Sequence, residues 1–480
     1  MDDNTKFLCG QITQEILDIL INLLQKNNSK LSYSILQILI NVTFLNEGEI
    51  LFGPDKTTLY KIATFLGNNR FEREMLYNGL WLIRHITHKN SEVRLHLLNF
   101  QFMEFLSEIY IKYICDNDVM DQILCCISNI VKCQFKDNIN HYLCIIKILK
   151  TQLNPVFSID KINRNVSIIF NLTTFNSEKI DNEIIENKIH IDLMNIFPLF
   201  LLPQYYNNST LSSKSNNITE NDKEKYKLLA IYIIRILGKI CSLDEKYFPL
   251  TQKLINDNVS DFYRKVLLIE DLKIIKNVAF SMSNICSGNY GEISSLLDSG
   301  ALLELINVSS NIYEALNGNY NFDSEKIKEL KEAFSEINYV LSLTLNNSLY
   351  EKIIPYVLYK NGIYIQCLLK AMQLYNNNEV LTRYCISAIR KLNIYAKANS
   401  DFLITVKGKD NNEIKINFYE FGDKYGMKET IEKLQLNSNE KIADKADELY
   451  DEIYDDGNEI ENNENYNFED DKNDEDENIE

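Results

Sequence analysis

The chain has 480 residues, with 50 Lys and Arg against 68 Asp and Glu, for a formal charge of −18. Fifteen of those acids and a single lysine fall in residues 451–480, so the rest of the chain is near neutral and lacks the basic excess of a nucleic-acid-binding surface. Fifteen glycines and six prolines are too few for the turns of a β-sandwich or propeller; with 45% apolar residues, long helices around a large core are expected.

Residues 1–14 form a short polar lead-in without the basic start and apolar run of a secretion signal. Apolar stretches such as 197–202 and 228–234 are too short to cross a bilayer, so a soluble intracellular protein is expected. From about residue 15 to 454 one shape recurs: an apolar-periodic helix with an Asn, or a substitute, near its end. A weak copy lies near 38–44. Clear ones follow at 74–88 (EMLYNGLWLIRHITH), 120–133 (MDQILCCISNIVKC) and 161–174 (KINRNVSIIFNLTT). An Asn- and Ser-rich stretch at about 204–225 then reads as a disordered loop. The series resumes at 227–242 (KLLAIYIIRILGKICS) and 271–287 (DLKIIKNVAFSMSNICS), with an insertion at 311–323 and weaker copies near 332–344 and 381–394. The registered positions are Asn41, His85, Asn129, Asn171, Lys239, Asn284, Tyr339 and Lys391, most of them 42 to 45 residues apart. That period belongs to armadillo or HEAT units, and it predicts an all-α, right-handed solenoid superhelix of about nine repeats. The step from Asn171 to Lys239 is too short for two repeats. Residues 455–480 are expected to be a disordered acidic tail.

In 271–287, Leu272, Ile275, Ala279, Met282 and Cys286 form one buried stripe. Lys273, Asn277, Phe280 and Asn284 form a second, more polar line that can face a partner or tie neighbouring helices together. The ten cysteines lie mostly in apolar helical runs without CxxC pairing, which predicts small buried side chains and no metal or cofactor. His85 and His88 lack an HExxH context. No phosphate loop, GxSxG or other catalytic motif is present, so no enzymatic activity is expected.

Residues 284–305 (NICSGNYGEISSLLDSGALLEL) resemble an armadillo repeat of the importin α family, the adaptors of nuclear import. Residues 235–240 (RILGKI) resemble that family's Arg-bearing repeat, and 420–454 resemble its last repeat, with the acidic tail following. In the family the third helix of each repeat lines a peptide groove, where Asn amides bond the backbone of an extended signal and Trp rings flank the stems of Lys and Arg. The resemblance implies a cargo-binding site at Arg235, Asp244, Phe280, Asn284 and Glu332. It implies a reduced first site at Trp81, Asn129 and Asn171. Departures are His85 after Trp81, Cys125 and Ser167 at the other Trp positions, Lys89 and Lys132 at Gly positions, Cys133 at an Asp position, and Ser335 with Tyr339 in the later repeat. Residues 1–30 hold just Lys6, Lys26 and Lys30, so the importin-β-binding arm is expected to be absent and docking on importin β by the family's route is in question. The expected function is an adaptor for cargo carrying nuclear-localisation signals, working in cytoplasm and nucleus. The last repeat and tail would contact the export receptor that recycles importin α, and no nucleic-acid or membrane partner is expected. The alternative is a divergent armadillo scaffold that binds a protein without reading basic signals.

Overall fold

The computed structural model describes residues 14–26, 28–45, 56–88, 90–133, 139–205, 219–242, 250–318, 322–407 and 412–454. The chain divides between Tyr356 and Val357 into two compact units.

The first unit is a run of helices. It begins with α1 (Gln14–Leu24), α2 (Ser29–Leu45), α3 (Lys56–Asn68) and α4 (Arg73–Thr87). A short–long–long triplet is then α5 (Ser91–Asn99), α6 (Phe102–Lys112) and α7 (Asn117–Ile130), followed by α8 (Ile139–Thr151) and α9 (Ile159–Thr173). Three further triplets complete the unit. They are α10 (Glu178–Glu186), α11 (Ile189–Tyr205) and α12 (Glu220–Cys241); α13 (Leu250–Asn256), α14 (Val259–Leu267) and α15 (Leu272–Cys286); and α16 (Tyr290–Asp298), α17 (Ala301–Asn317) and α18 (Ser324–Asn347). One more helix, α19 (Tyr350–Val357), closes on the boundary.

Each triplet corner is set by one left-handed residue between first and second helix. These residues are Gln101, Lys188, Asn258 and Gly300, with φ of 56°, 57°, 68° and 77°. The chain reverses there in one residue, so both helices can lay their apolar faces on the third. Helix starts are fixed by capping side chains: Asp116 accepts from Val119 N, Ser158 from Lys161 N, and Asp271 from Lys273 N and Ile274 N. Helices α2, α4, α7, α9, α12, α15 and α18 pack one on the next and are the third helices of seven repeats.

The second unit holds α20 (Tyr359–Leu374), α21 (Glu379–Ala398), β1 (Leu403–Lys407), β2 (Glu413–Asn417), α22 (Phe418–Lys424), α23 (Met427–Gln435) and α24 (Glu440–Tyr454). Helices α21 and α24 are its third helices, so the described residues contain nine such helices in all. Arg390 on α21 pairs with Glu448 (3.1 Å) and Glu452 of α24, and Lys397 donates to the Glu452 carbonyl. The strands form an antiparallel hairpin with Thr405 opposite Lys415. Ile404 and Val406 are buried, and Gly362 admits Ile404 and Phe421 so closely that a Cβ there would stand 2.9 and 2.8 Å from them. The two strands are an addition to the expected all-helical pattern.

Several expectations are corrected. Residues 219–225 are the first turns of α12, fixed by a Thr219–Asp222 capping box, rather than loop. Residues 206–218 lie outside the described residues, as do 1–13 and the tail 455–480. Most of 311–323 is no insertion loop, since it lengthens α17 and leads into α18. Among the described residues a single helical pair, α10 and α11, separates α9 from α12. Tyr339 is not the equivalent of Asn284. Buried Asn78, Asn277 and Asn338 each donate Nδ2 to the carbonyl four residues earlier, at 2.7 Å in every case. Asn78 and Asn277 lie seven residues before His85 and Asn284, so the matching position in α18 is Leu345.

Candidate protein-binding face

Successive third helices run parallel, and their two halves are joined by different chemistry. The N-terminal halves are zipped by ion pairs. Arg73 reaches Asp116 (2.5 Å) and Asp118 (2.9 Å), and Arg164 reaches Asp121 (3.4 Å). Lys225 meets Asp160 (2.8 Å), and Lys227 meets Asp271 (2.7 Å). On α18, Glu329 and Glu332 are met by Lys273 (3.5 Å) and Lys276 (2.9 Å). The Arg73 guanidinium holds Asp116 below the usual carboxylate range, and the Lys276 ammonium does the same for Glu332. Such pairs, most of them open to solvent, add little stability each, but all five joints from α4 to α18 carry one.

The C-terminal halves are joined by side chains donating to the carbonyls of the preceding third helix. Asn129 Nδ2 donates to Arg84 O (2.9 Å) and Thr87 Oγ1 (3.2 Å), while the Cys126 thiol points to Leu80 O (3.4 Å). The joint from α12 to α15 repeats this arrangement. Asn284 Nδ2 donates to Gly238 O (2.8 Å), and Ser281 Oγ to Ile234 O (2.9 Å). In both cases the accepting carbonyl lies one residue before the registered position, His85 or Lys239. Gly238 permits the approach, since a Cβ there would stand 2.3 Å from Ser281 Oγ and 3.1 Å from its Cα. At the next joint Asn347 Nδ2 donates to Cys286 O (2.9 Å), and Cys286 Sγ meets Thr344 Oγ1 (3.2 Å).

This accounting places the sequence-derived residues. Asn129 is 6% exposed, and its donor serves the helix–helix joint. Asn284 is half-buried with its donor used in the same way, and Asn171 is half-buried. Trp81 is half-buried, edge-on to Tyr77 and 6.3 Å from the His85 ring, which in turn lies 4.2 Å from the Phe44 ring of α2. Burial beside Arg84 lowers the His85 pKa below its ordinary value. Arg235 is exposed, and its Nε donates to Asn277 Oδ1 (2.6 Å). Phe280 is 40% exposed on a helix whose neighbours Val278, Ala279, Ser281 and Met282 are all buried. Glu332 is held by Lys276 rather than standing free. Lys132 is exposed, with Nζ 3.4 Å from Asn129 Oδ1. Asp244 and Lys89 lie outside the described residues.

The second line on α15 is therefore not a uniformly open face. Asn277 is buried and Asn284 is tied back, because the helix is covered on both sides by its neighbours; Phe280 and Lys273 remain open. Sequence reasoning also missed Arg94. It is buried at the end of α4, where Nε donates to Thr87 O (2.6 Å), Nη2 to His88 O (2.5 Å) and Nη1 to Cys133 Sγ (2.8 Å). It caps the C-terminal carbonyls of that helix. Asp181 on α10 was missed as well. It is buried with Oδ1 unpartnered, and burial lifts its carboxyl to about 8 against the opposing pull of Lys239.

No protein-family description matches the chain, and no curated protein matches it. Solved structures do. An engineered protein aligns over 94% of this chain and 94% of its own at 13% identity, with a TM-score of 0.61. A chain from a structure concerned with a phosphorylation switch in the interaction between cadherin and β-catenin aligns over 94% of this chain and 78% of its own, at 11% identity and a TM-score of 0.62. A designed armadillo repeat protein aligns over 64% of this chain and 99% of its own at 14% identity; its TM-score of 0.43 supports no argument. At such identities the likeness establishes the fold alone: the chain is an all-α solenoid.

Proposed function

We propose that this chain is a protein-binding scaffold that holds an extended segment of a partner along the third-helix face of its first unit. The observation that carries the reading is Phe280, a large aromatic left 40% open between buried Val278, Ala279, Ser281 and Met282. Half-open Trp81 and exposed Arg235 stand on other third helices of the same stack. Aromatic and Arg side chains are the usual anchors of protein interfaces. No catalytic step is part of the reading. Display selection of random peptides on the full chain tests it. Selected peptides should lose binding to a Trp81→Ala/Phe280→Ala variant, and selection of peptides indifferent to both changes would remove the face from the reading.

A narrower form makes the chain a nuclear import adaptor of importin α type, acting in cytoplasm and nucleus. Its cargo signals would lie at Arg235, Asp244, Phe280, Asn284 and Glu332, with Trp81, Asn129 and Asn171 beyond. The resemblance of residues 284–305 and 420–454 supports it, as does open Phe280 one turn before Asn284. The Asn284 bond to Gly238 O and the Lys276 bridge to Glu332 would both have to yield to a basic peptide. Fluorescence anisotropy with a Lys/Arg-rich localisation peptide decides it. Binding weakened by Phe280→Ala supports the adaptor, and absence of binding removes it while leaving the scaffold.

A further inference from the structure

The geometry points to an Asp/Glu-rich, extended segment of a partner protein as the occupant of the third-helix face, an inference that rests on the scaffold reading and names the partner's chemistry. The argument starts from the division of charge along the stack. In the N-terminal halves of the third helices, carboxylates and cations answer one another across every joint from α4 to α18. The C-terminal stretches are different. Residues 79–88, 122–133, 165–174, 228–242 and 277–287 contain no Asp or Glu at all. They do contain Arg84, Lys132, Arg235 and Lys239.

The bonds that join these C-terminal halves are amide, hydroxyl and thiol contacts to carbonyls, which neutralise none of the four cations. The contacts shown for Lys132 and Arg235 are amide oxygens, those of Asn129 and Asn277. Arg94 adds a fifth positive charge at the end of α4, bonded to two carbonyls and a thiol. Buried Asp181, which feels the Lys239 charge, is lifted by burial to a pKa of about 8 and is mostly protonated at neutral pH. The result is a band of positive charge along a face that also carries half-open Trp81 and open Phe280. A basic peptide would be repelled there, whereas a carboxylate-bearing one would find donors on α4, α7 and α12.

Spacing refines the partner. Packed helices stand about 8–10 Å apart, and an extended chain advances about 3.3 Å per residue, so the peptide meets a new third helix roughly every three residues. The cations lie on α4, α7 and α12, with α9 between the last two. The fitting segment therefore carries one acid, a second about three residues on and one or two more about nine residues from the first.

The test uses full-length protein and rhodamine-labelled Ser/Asn peptides of about 12 residues, carrying Glu, Gln or Lys at those positions. The Glu peptide should bind at least about tenfold more tightly than the Gln peptide, and the Lys peptide more weakly than either. Lys132→Glu with Lys239→Glu should abolish the preference, and Lys132→Gln with Lys239→Gln should reduce it; circular dichroism verifies that both pairs fold. Tightest binding by the Lys peptide, or a Glu preference that survives the reversal, overturns the inference and leaves the scaffold. Single-stranded DNA competing as well as the Glu peptide overturns it in favour of nucleic acid. If display-selected peptides bind and none of the three designed ones does, the acidic preference is wrong; if neither set binds, both readings fall.

Discussion

Replacing Asn129 with Ala separates an amide that ties helices from one that waits for a peptide. In the structure its Nδ2 makes two bonds, to Arg84 O at 2.9 Å and Thr87 Oγ1 at 3.2 Å, at a site 6% exposed. Each bond is worth about 1 kcal/mol net. The single Thr87 hydroxyl proton is shared between Ile83 O (2.7 Å) and Arg84 O (3.1 Å), so Arg84 O keeps a weak partner, which holds the cost to about 1–2 kcal/mol. In a repeat array that loss is felt mainly at the affected joint, as a rise of roughly 5- to 30-fold in local opening. Hydrogen exchange read on the C-terminal turns of α4 and α7 should show it, with the second unit unchanged. Lys132→Ala, at an exposed position, serves as the control and should stay within about 0.5 kcal/mol. Unchanged exchange in Asn129→Ala would refute the reasoning, above all if the same variant lost affinity for a basic peptide.

Three further outcomes follow from the same structure. Gly238→Ala places a methyl 2.3 Å from Ser281 Oγ and 3.1 Å from its Cα; rotating the serine relieves the first clash but not the second, so thermal denaturation should show a loss of about 1–3 kcal/mol. Gln101 is exposed and holds φ of 56° without a capping bond, so Gln101→Gly should stabilise by about 0.5–1 kcal/mol in the same assay. Burial lifts the Asp181 carboxyl to about 8 in the folded chain, against an ordinary 3.8, so the native state binds the extra proton between those values and stability falls as pH rises through that window. Asp181→Asn should flatten the decline and raise the melting temperature at pH 8 more than at pH 5; an equal change at both would contradict the assignment.

Helical periodicity made the solenoid legible, because the apolar positions of each third helix repeat every three to four residues and the helices themselves recur at a nearly constant step. The role of the Asn positions was not legible to the same degree. An amide on a third helix can reach a peptide backbone or the carbonyls of the helix before it, and the distance between helices decides which. Gly238, Cys126 and Ser281 carried the missing signal: small residues at facing positions bring two helices close enough for Asn129 and Asn284 to reach across. The ion pairs were invisible for a related reason. Arg73 and Asp116 are paired 43 residues apart, so one must know the stacking register first. Tyr339 was misplaced because lengthened α17 and α18 broke the period that set the register. The hairpin could have been read from alternation in LITVK and EIKIN on either side of the polar sequence GKDNN, but two strands in a helical chain are easily passed over.

The central claim is that a partner's segment lies along the third helices of the first unit. It is tested most directly by photo-crosslinking, with a photoreactive residue placed at Phe280 and, as a control, at exposed Ile111 on second helix α6. A display-selected peptide is predicted to crosslink at position 280 and not at 111. Efficient crosslinking at 111 with none at 280 would contradict the account.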